Sequence, residues 1–146
     1  MKNARFIFWF WLPPLGYMAA IFFVSSLSNP QVGGETPDYM LHALEYFLLT
    51  LLLMRLFLAR RSSRFLKQRQ NFFLLSGCRG DVITWHHACL LAVIIAITYG
   101  VSDEIHQYFI PGRHCSWHDV FADTAGALLA YGVALLDYLV LSNCRS

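Results

Sequence analysis

The feature that most limits what this chain can fold into is the grouping of its apolar residues into four long blocks. They run over about residues 6–27, 40–58, 85–109 and 117–141. Each is long enough to cross a bilayer as a helix, and lipid has no water to satisfy an open backbone, so helices are the economical way to span it. With 57% hydrophobic residues, 16% aromatics and a mean hydropathy of +0.47, the 146-residue chain is too oily for an ordinary soluble domain. The expectation is a single all-α domain, a four-helix transmembrane bundle in which lipid covers much of what a soluble protein would bury.

The first block follows Lys2 and Arg5 and contains Pro13-Pro14. A basic start before an apolar run also describes a signal peptide, with Ser26-Leu27-Ser28 as a cleavage site. The run is about twice a usual signal core, which favours a retained helix. Either the prolines kink this helix, or regular helix begins at them after an interfacial segment holding Phe8, Trp9 and Trp11. Gly33-Gly34 and Pro37 make a loop before the second block, with Asp38 near its start. Residues 59–84 form a basic connector, read as a solvated loop near lipid headgroups; an interfacial amphipathic helix around 65–75 is the competing reading.

Ten of the eleven Lys and Arg residues fall on one side if four helices alternate, so that side is expected to be cytoplasmic, with both termini inside. Arg113 is the exception. Seven of the nine acids, Glu35, Asp38, Glu45, Asp103, Glu104, Asp119 and Asp123, lie toward the outer face. Acids do not set orientation, so their grouping asks for another cause, and a site is that cause. The basic residues do not form a polar face interleaved with aromatics, which argues against nucleic acid as a partner. The four cysteines include no CxxC pair, and no intrachain disulfide is expected.

The outer halves of three helices carry the polar residues. The second contributes His42, Glu45 and Tyr46 on one face. The third contributes Tyr99, Asp103, His106 and Gln107 along one stripe. The fourth contributes Asp119 and Asp123, followed by Gly126 and Ala130, small residues that admit a neighbouring backbone. Pro111-Gly112 supplies the bend between the last two helices, and Ser116 is an N-cap with Asp119 at N3. His86 and His87 are read as interfacial, Trp117 as an interface anchor, and Cys115 as a passive thiol.

Three chemistries suit this set. One is hydrolysis or group transfer, with Asp103, His106 and Asp119 catalytic and Arg113 holding an anion. In that reading Gln107, Glu104, His42, Glu45 and Tyr46 line the substrate. A second is a divalent metal, Zn or Mn, with His42, Asp103, His106, Asp119 and Asp123 as N/O ligands. A third is binding of a cationic or sugar-bearing headgroup. Against all three stands a purely structural network that fastens the helices.

Asp103-Glu104-Ile105-His106-Gln107, then Pro111-Gly112-Arg113, Asp119, Asp123 and Gly126, resembles the signature of the VanZ-like family. Asp38, His42 and Tyr46, spaced four apart, and the Ser25-Ser26 pair resemble it too. The family commonly has Lys where this chain has Tyr39, and often Asn where it has Asp123, which makes this pocket more acidic. The resemblance implies a small multi-pass membrane protein of the bacterial cytoplasmic membrane, from a family named for a member linked to teicoplanin resistance. That drug acts outside the membrane on a lipid-linked cell-wall precursor. The implied role is therefore to modify or bind a lipid-linked or phosphate-bearing envelope component, with a lipid or partner-binding scaffold as the alternative.

Overall fold

A computed structural model of the protein describes residues 6–28, 38–61, 82–113 and 115–143. The middle of the basic connector, the Gly33-Gly34 loop, His114, Cys78 and Cys144 lie outside these. The described residues form α1 (Leu12–Ser25), α2 (Asp38–Arg61), α3 (Val82–Tyr108) and α4 (Trp117–Asn143), with a π-helical stretch, Ile7–Trp11, before α1. Four helical segments are long and apolar enough to cross a membrane, the first of them including the π-helical stretch.

Pro13 and Pro14 occupy the first turn of α1. Helix N-termini tolerate proline because the N–H groups there have no intrahelical acceptor. The α-helix starts at Leu12, just before the pair, and the chain ahead of it is already π-helical, so helix continues across both sides of the prolines. Arg55 of α2 lies over the Phe10 ring, 5.2 Å from its centroid, and so joins the π-helical stretch to α2. Phe22, Phe23 and Leu15 leave much of α1 exposed, as a lipid-facing helix requires.

α2 packs most extensively on α4, with α3 against both and α1 on α2 and, more lightly, α3. The reason lies in side-chain size. Ala88, Ala92 and Ala96 of α3 and Ala127 and Ala134 of α4 are buried in one cluster with Leu49, Leu53 and Met54 of α2, and Ala130 of α4 is fully buried too. Small residues let backbones approach, so dispersion contacts replace the hydrophobic drive that lipid removes. Gly126 marks the tightest point. A Cβ there would overlap the Ala43 carbonyl oxygen and lie 2.9 Å from its carbon and 3.1 Å from Ala43 Cα. At the far end Trp85, Tyr131 and Tyr138 cluster, and His86 Nδ1 lies 2.8 Å from Tyr131 Oη. His86, expected at the interface, is half-buried and meets this phenol near the start of α3.

The α3–α4 connection is a tight turn. Arg113 N–H donates to the Ile110 carbonyl at 3.1 Å, and Gly112 has φ +84°. Pro at the second position and a positive-φ Gly at the third are the requirements of a type II turn. Ser116 caps α4 by accepting from His118 N–H at 3.2 Å, as the sequence predicts.

Candidate functional site

The polar residues collect at the end of the bundle that carries the α3–α4 turn. On α3 the buried stripe Ala92, Ala96, Gly100 continues, at helical period, into Asp103, Glu104 and Gln107. These three side chains are at most 5% exposed, and His42 and Asp123 are equally enclosed at 6% and 2%. The helix face that packs Ala against α2 and α4 therefore delivers carboxylates to the same interface one turn later.

Each buried carboxylate is held by one oxygen only. Asp103 Oδ2 accepts from Gln107 Nε2 at 3.0 Å, and Glu104 Oε2 accepts from Ser116 N–H at 2.9 Å. Asp123 Oδ1 lies 3.2 Å from His42 Nδ1. The other oxygens, Asp103 Oδ1, Glu104 Oε1 and Asp123 Oδ2, are buried with no hydrogen-bond partner, as is Tyr46 Oη. Unpartnered buried acceptors are expensive, and three together at one end of a bundle are unusual.

The Glu104–Ser116 bond alters the cap of α4. In a capping box the N3 acid takes the N-cap N–H. Here Glu104, from the preceding helix, takes it, which leaves the N3 residue Asp119 free of that task. Asp119 is partly exposed, and its carboxylate joins ligand atoms of His42 and Glu104 in a group no more than 4.8 Å across.

Arg113 reaches back from the turn. Its Nη2 donates to Gln107 Oε1 at 2.8 Å, and Gln107 in turn donates to Asp103. The neutral amide thus stands between cation and anion. Among the described residues His42–Asp123 is the ion pair of this site, and no carboxylate pairs with Arg113, whose Nε is buried without a partner.

Two expected members sit elsewhere. His106 faces α1, with Nε2 3.0 Å from Ser26 Oγ and its ring stacked on Phe22 at 4.4 Å. Tyr99 donates to the Met18 carbonyl at 2.7 Å. The polar stripe expected on α3 is therefore split. Asp103 and Gln107 look into the α2–α4 interface, while Tyr99 and His106 fasten α1. Asp103 takes its hydrogen bond from Gln107 and His106 is bonded to Ser26, so the proposed Asp103–His106 acid/base pair is not formed. The carboxylate–imidazole pair in this structure is His42 with Asp123, and His106 is also absent from the group that could share a metal. Tyr46, expected to line a substrate site, is wholly buried in the apolar core, and Glu45 is half-buried.

Sequence reasoning underrated Glu104, although its place on the Ala92–Ala96–Gly100 stripe was a legible signal. It missed Gly100, where a Cβ would come 2.8 Å from Asp123 Oδ2 and 3.2 Å from Tyr46 Cε1. The thiol of Cys115 is exposed, yet its pKa is raised, first by partial loss of solvent and then by the Glu104 carboxylate. A raised thiol pKa disfavours the nucleophilic thiolate, in keeping with a passive role.

No curated protein and no solved structure matches the chain. The family model described as VanZ/LLP1 matches residues 6–140, nearly the whole sequence. With that match, and with four helical segments among the described residues long and apolar enough to cross a membrane, the chain belongs to the VanZ-like family of multi-pass membrane proteins.

Proposed function

We propose that this protein resides in the bacterial cytoplasmic membrane and binds the phosphate-bearing headgroup of an envelope lipid or lipid-linked precursor in a pocket at the outer surface. The orientation is supported by the ten Lys and Arg residues that fall on the other side when four spans alternate. An influence on teicoplanin susceptibility accords with a lipid-linked target on that face.

The observation that carries this reading is Arg113. Four acids stand nearby in sequence or space, yet the guanidinium is held by a neutral amide. Its planar fork, anchored on one nitrogen by Gln107, matches the oxygens of a phosphate, and a weakly hydrated guanidinium suits such a site better than an ammonium. The test is native mass spectrometry of the full chain in detergent with phosphatidylglycerol, against diacylglycerol of the same chains. The phosphate lipid is expected to stay bound to the wild type, and Arg113→Lys should weaken retention by about tenfold, the scale of one charge-assisted hydrogen bond. Equal retention by Arg113→Gln would sink the proposal.

A second reading has its own support. Hydrogen bonds join α2 to α4 (His42–Asp123), α3 to the cap of α4 (Glu104–Ser116) and α3 to the end of α1 (His106–Ser26). A scaffold fastened by these bonds needs no ligand. Under that reading Arg113→Gln lowers thermal stability and leaves lipid retention unchanged; under the binding reading the reverse holds.

A further inference from the structure

We infer that His42, Glu104 and Asp119 form a binding site for one divalent transition-metal ion, of the Zn2+ or Mn2+ class. The inference deepens the headgroup reading, on which it rests for the identity of the pocket, and can be tested without any lipid.

One ligand atom from each residue lies within 4.8 Å of the other two. Donors on one tetrahedral ion lie about 3.4 Å apart when each bond is about 2.1 Å long. The three groups thus reach one ion with side-chain adjustments of under about 1 Å. They come from three helices, so the constellation is made by tertiary packing and is distinct from a run of surface acids.

Glu104 is 2% exposed, and its Oε1 is buried with no partner while Ser116 N–H holds Oε2. That bond also relieves Asp119 of capping α4, so the Asp119 carboxylate faces the group with no protein hydrogen bond among the described residues. His42 engages Asp123 through Nδ1, which leaves Nε2 as the ligating nitrogen. A carboxylate on the far nitrogen fixes the ring and its tautomer and strengthens it as a donor. One bond, Ser116 N–H to Glu104, thus holds Glu104 and frees Asp119, and Asp123 orients His42.

Donor chemistry narrows the ion. Two carboxylates and one imidazole suit Zn2+ or Mn2+, whereas Ca2+ and Mg2+ prefer oxygen alone. Charge agrees: Asp103, Glu104 and Asp123 are buried at one end of the bundle, and among the described residues no Lys or Arg forms an ion pair with any of them. Three protein ligands leave coordination positions open. Arg113 and the Ser116 amide that holds Glu104 both lie in the α3–α4 connection. Bound there, the ion would supply Lewis acidity toward a phosphoryl oxygen.

The experiment uses the full chain, without a histidine tag, in detergent micelles. It is stripped with chelator, reloaded with Zn2+ or Mn2+ alone, and assayed for bound metal and for thermal midpoint. One equivalent and a raised midpoint are expected, with Mg2+ failing to compete. Asp119→Asn, on a partly exposed side chain, should fold normally and bind at least about 100-fold more weakly. His42→Gln should do the same. Asp123→Asn, which acts through His42, should cost about tenfold. Cys115→Ser should bind like the wild type, excluding the exposed thiol. Wild-type affinity in Asp119→Asn, loss of metal in Cys115→Ser, or no stoichiometric metal in the folded wild type would each overturn the assignment. The lipid assay separates the two readings. Metal binding without lipid retention leaves this site standing and removes the headgroup; lipid retention without metal does the opposite.

Discussion

Replacing Gly126 by alanine adds one methyl group at the closest point between α2 and α4. The added Cβ would overlap the Ala43 carbonyl oxygen and sit 2.9 and 3.1 Å from the Ala43 carbonyl carbon and Cα. Ordinary carbon contacts are about 3.5–4.0 Å, and all three atoms are backbone, so no rotamer change relieves the clash. The helices must part by about 1 Å, judged against that contact distance. His42 is the neighbour of Ala43 in sequence, and Asp123 is one turn from Gly126. The same opening stretches the 3.2 Å His42–Asp123 contact to beyond hydrogen-bonding range. Overpacking costs about 1–3 kcal/mol, and a lost interhelical hydrogen bond in a membrane protein about 0.6–1.7 kcal/mol, giving an expected loss of about 3 kcal/mol. The assay is reversible unfolding in mixed micelles, followed by circular dichroism. Gly132→Ala is the control: its Cβ meets nothing within 4 Å, so helix propensity alone should make it neutral or up to about 1 kcal/mol more stable. If the two variants unfold within about 1 kcal/mol of each other, the helices are not in contact at Gly126, and the packing argument fails.

The other predictions concern residues beside the site. His106→Phe keeps the stack on Phe22 and loses the bond to Ser26; stability should fall by about 1 kcal/mol while metal and lipid binding stay unchanged, and a loss of either would return His106 to the site. The Cys115 thiol, whose pKa lies above the ordinary value, should be alkylated slowly by iodoacetamide at pH 8. Its rate should climb with pH to a midpoint higher than that of a free cysteine. Glu104→Gln removes the second cause of the shift, so the midpoint should move down and the pH 8 rate rise. A profile unchanged by Glu104→Gln would show that the carboxylate is not felt at the thiol.

Much of the fold was legible in the residue order, because crossing a bilayer leaves few choices. The four helices, the Pro111-Gly112 turn and the Ser116 cap follow from apolar block length and from local backbone chemistry. Those rules act over a few residues and do not need a partner. Asp119, Asp123, Asp103, Glu104 and His42 could be assigned to one end of the bundle for the same reason: each lies near the end of an apolar block.

What required the tertiary structure was the pairing within that end. A helix face defined only by period is uncertain by about one residue, or 100° of rotation. Within that margin the inward face moves from Asp103, His106 and Gln107 to Asp103, Glu104 and Gln107, which leaves His106 against α1. The rotation of α3 is decided by its alanines, which settle against α2 and α4 where a larger side chain would hold them apart, and the acids follow rigidly. Hence the expected Asp103–His106 pair dissolves and His42 finds Asp123, 81 positions away. The sequence by itself determined that charge would be gathered at one end of a membrane bundle. Only the close approach of three backbones decided which charges meet.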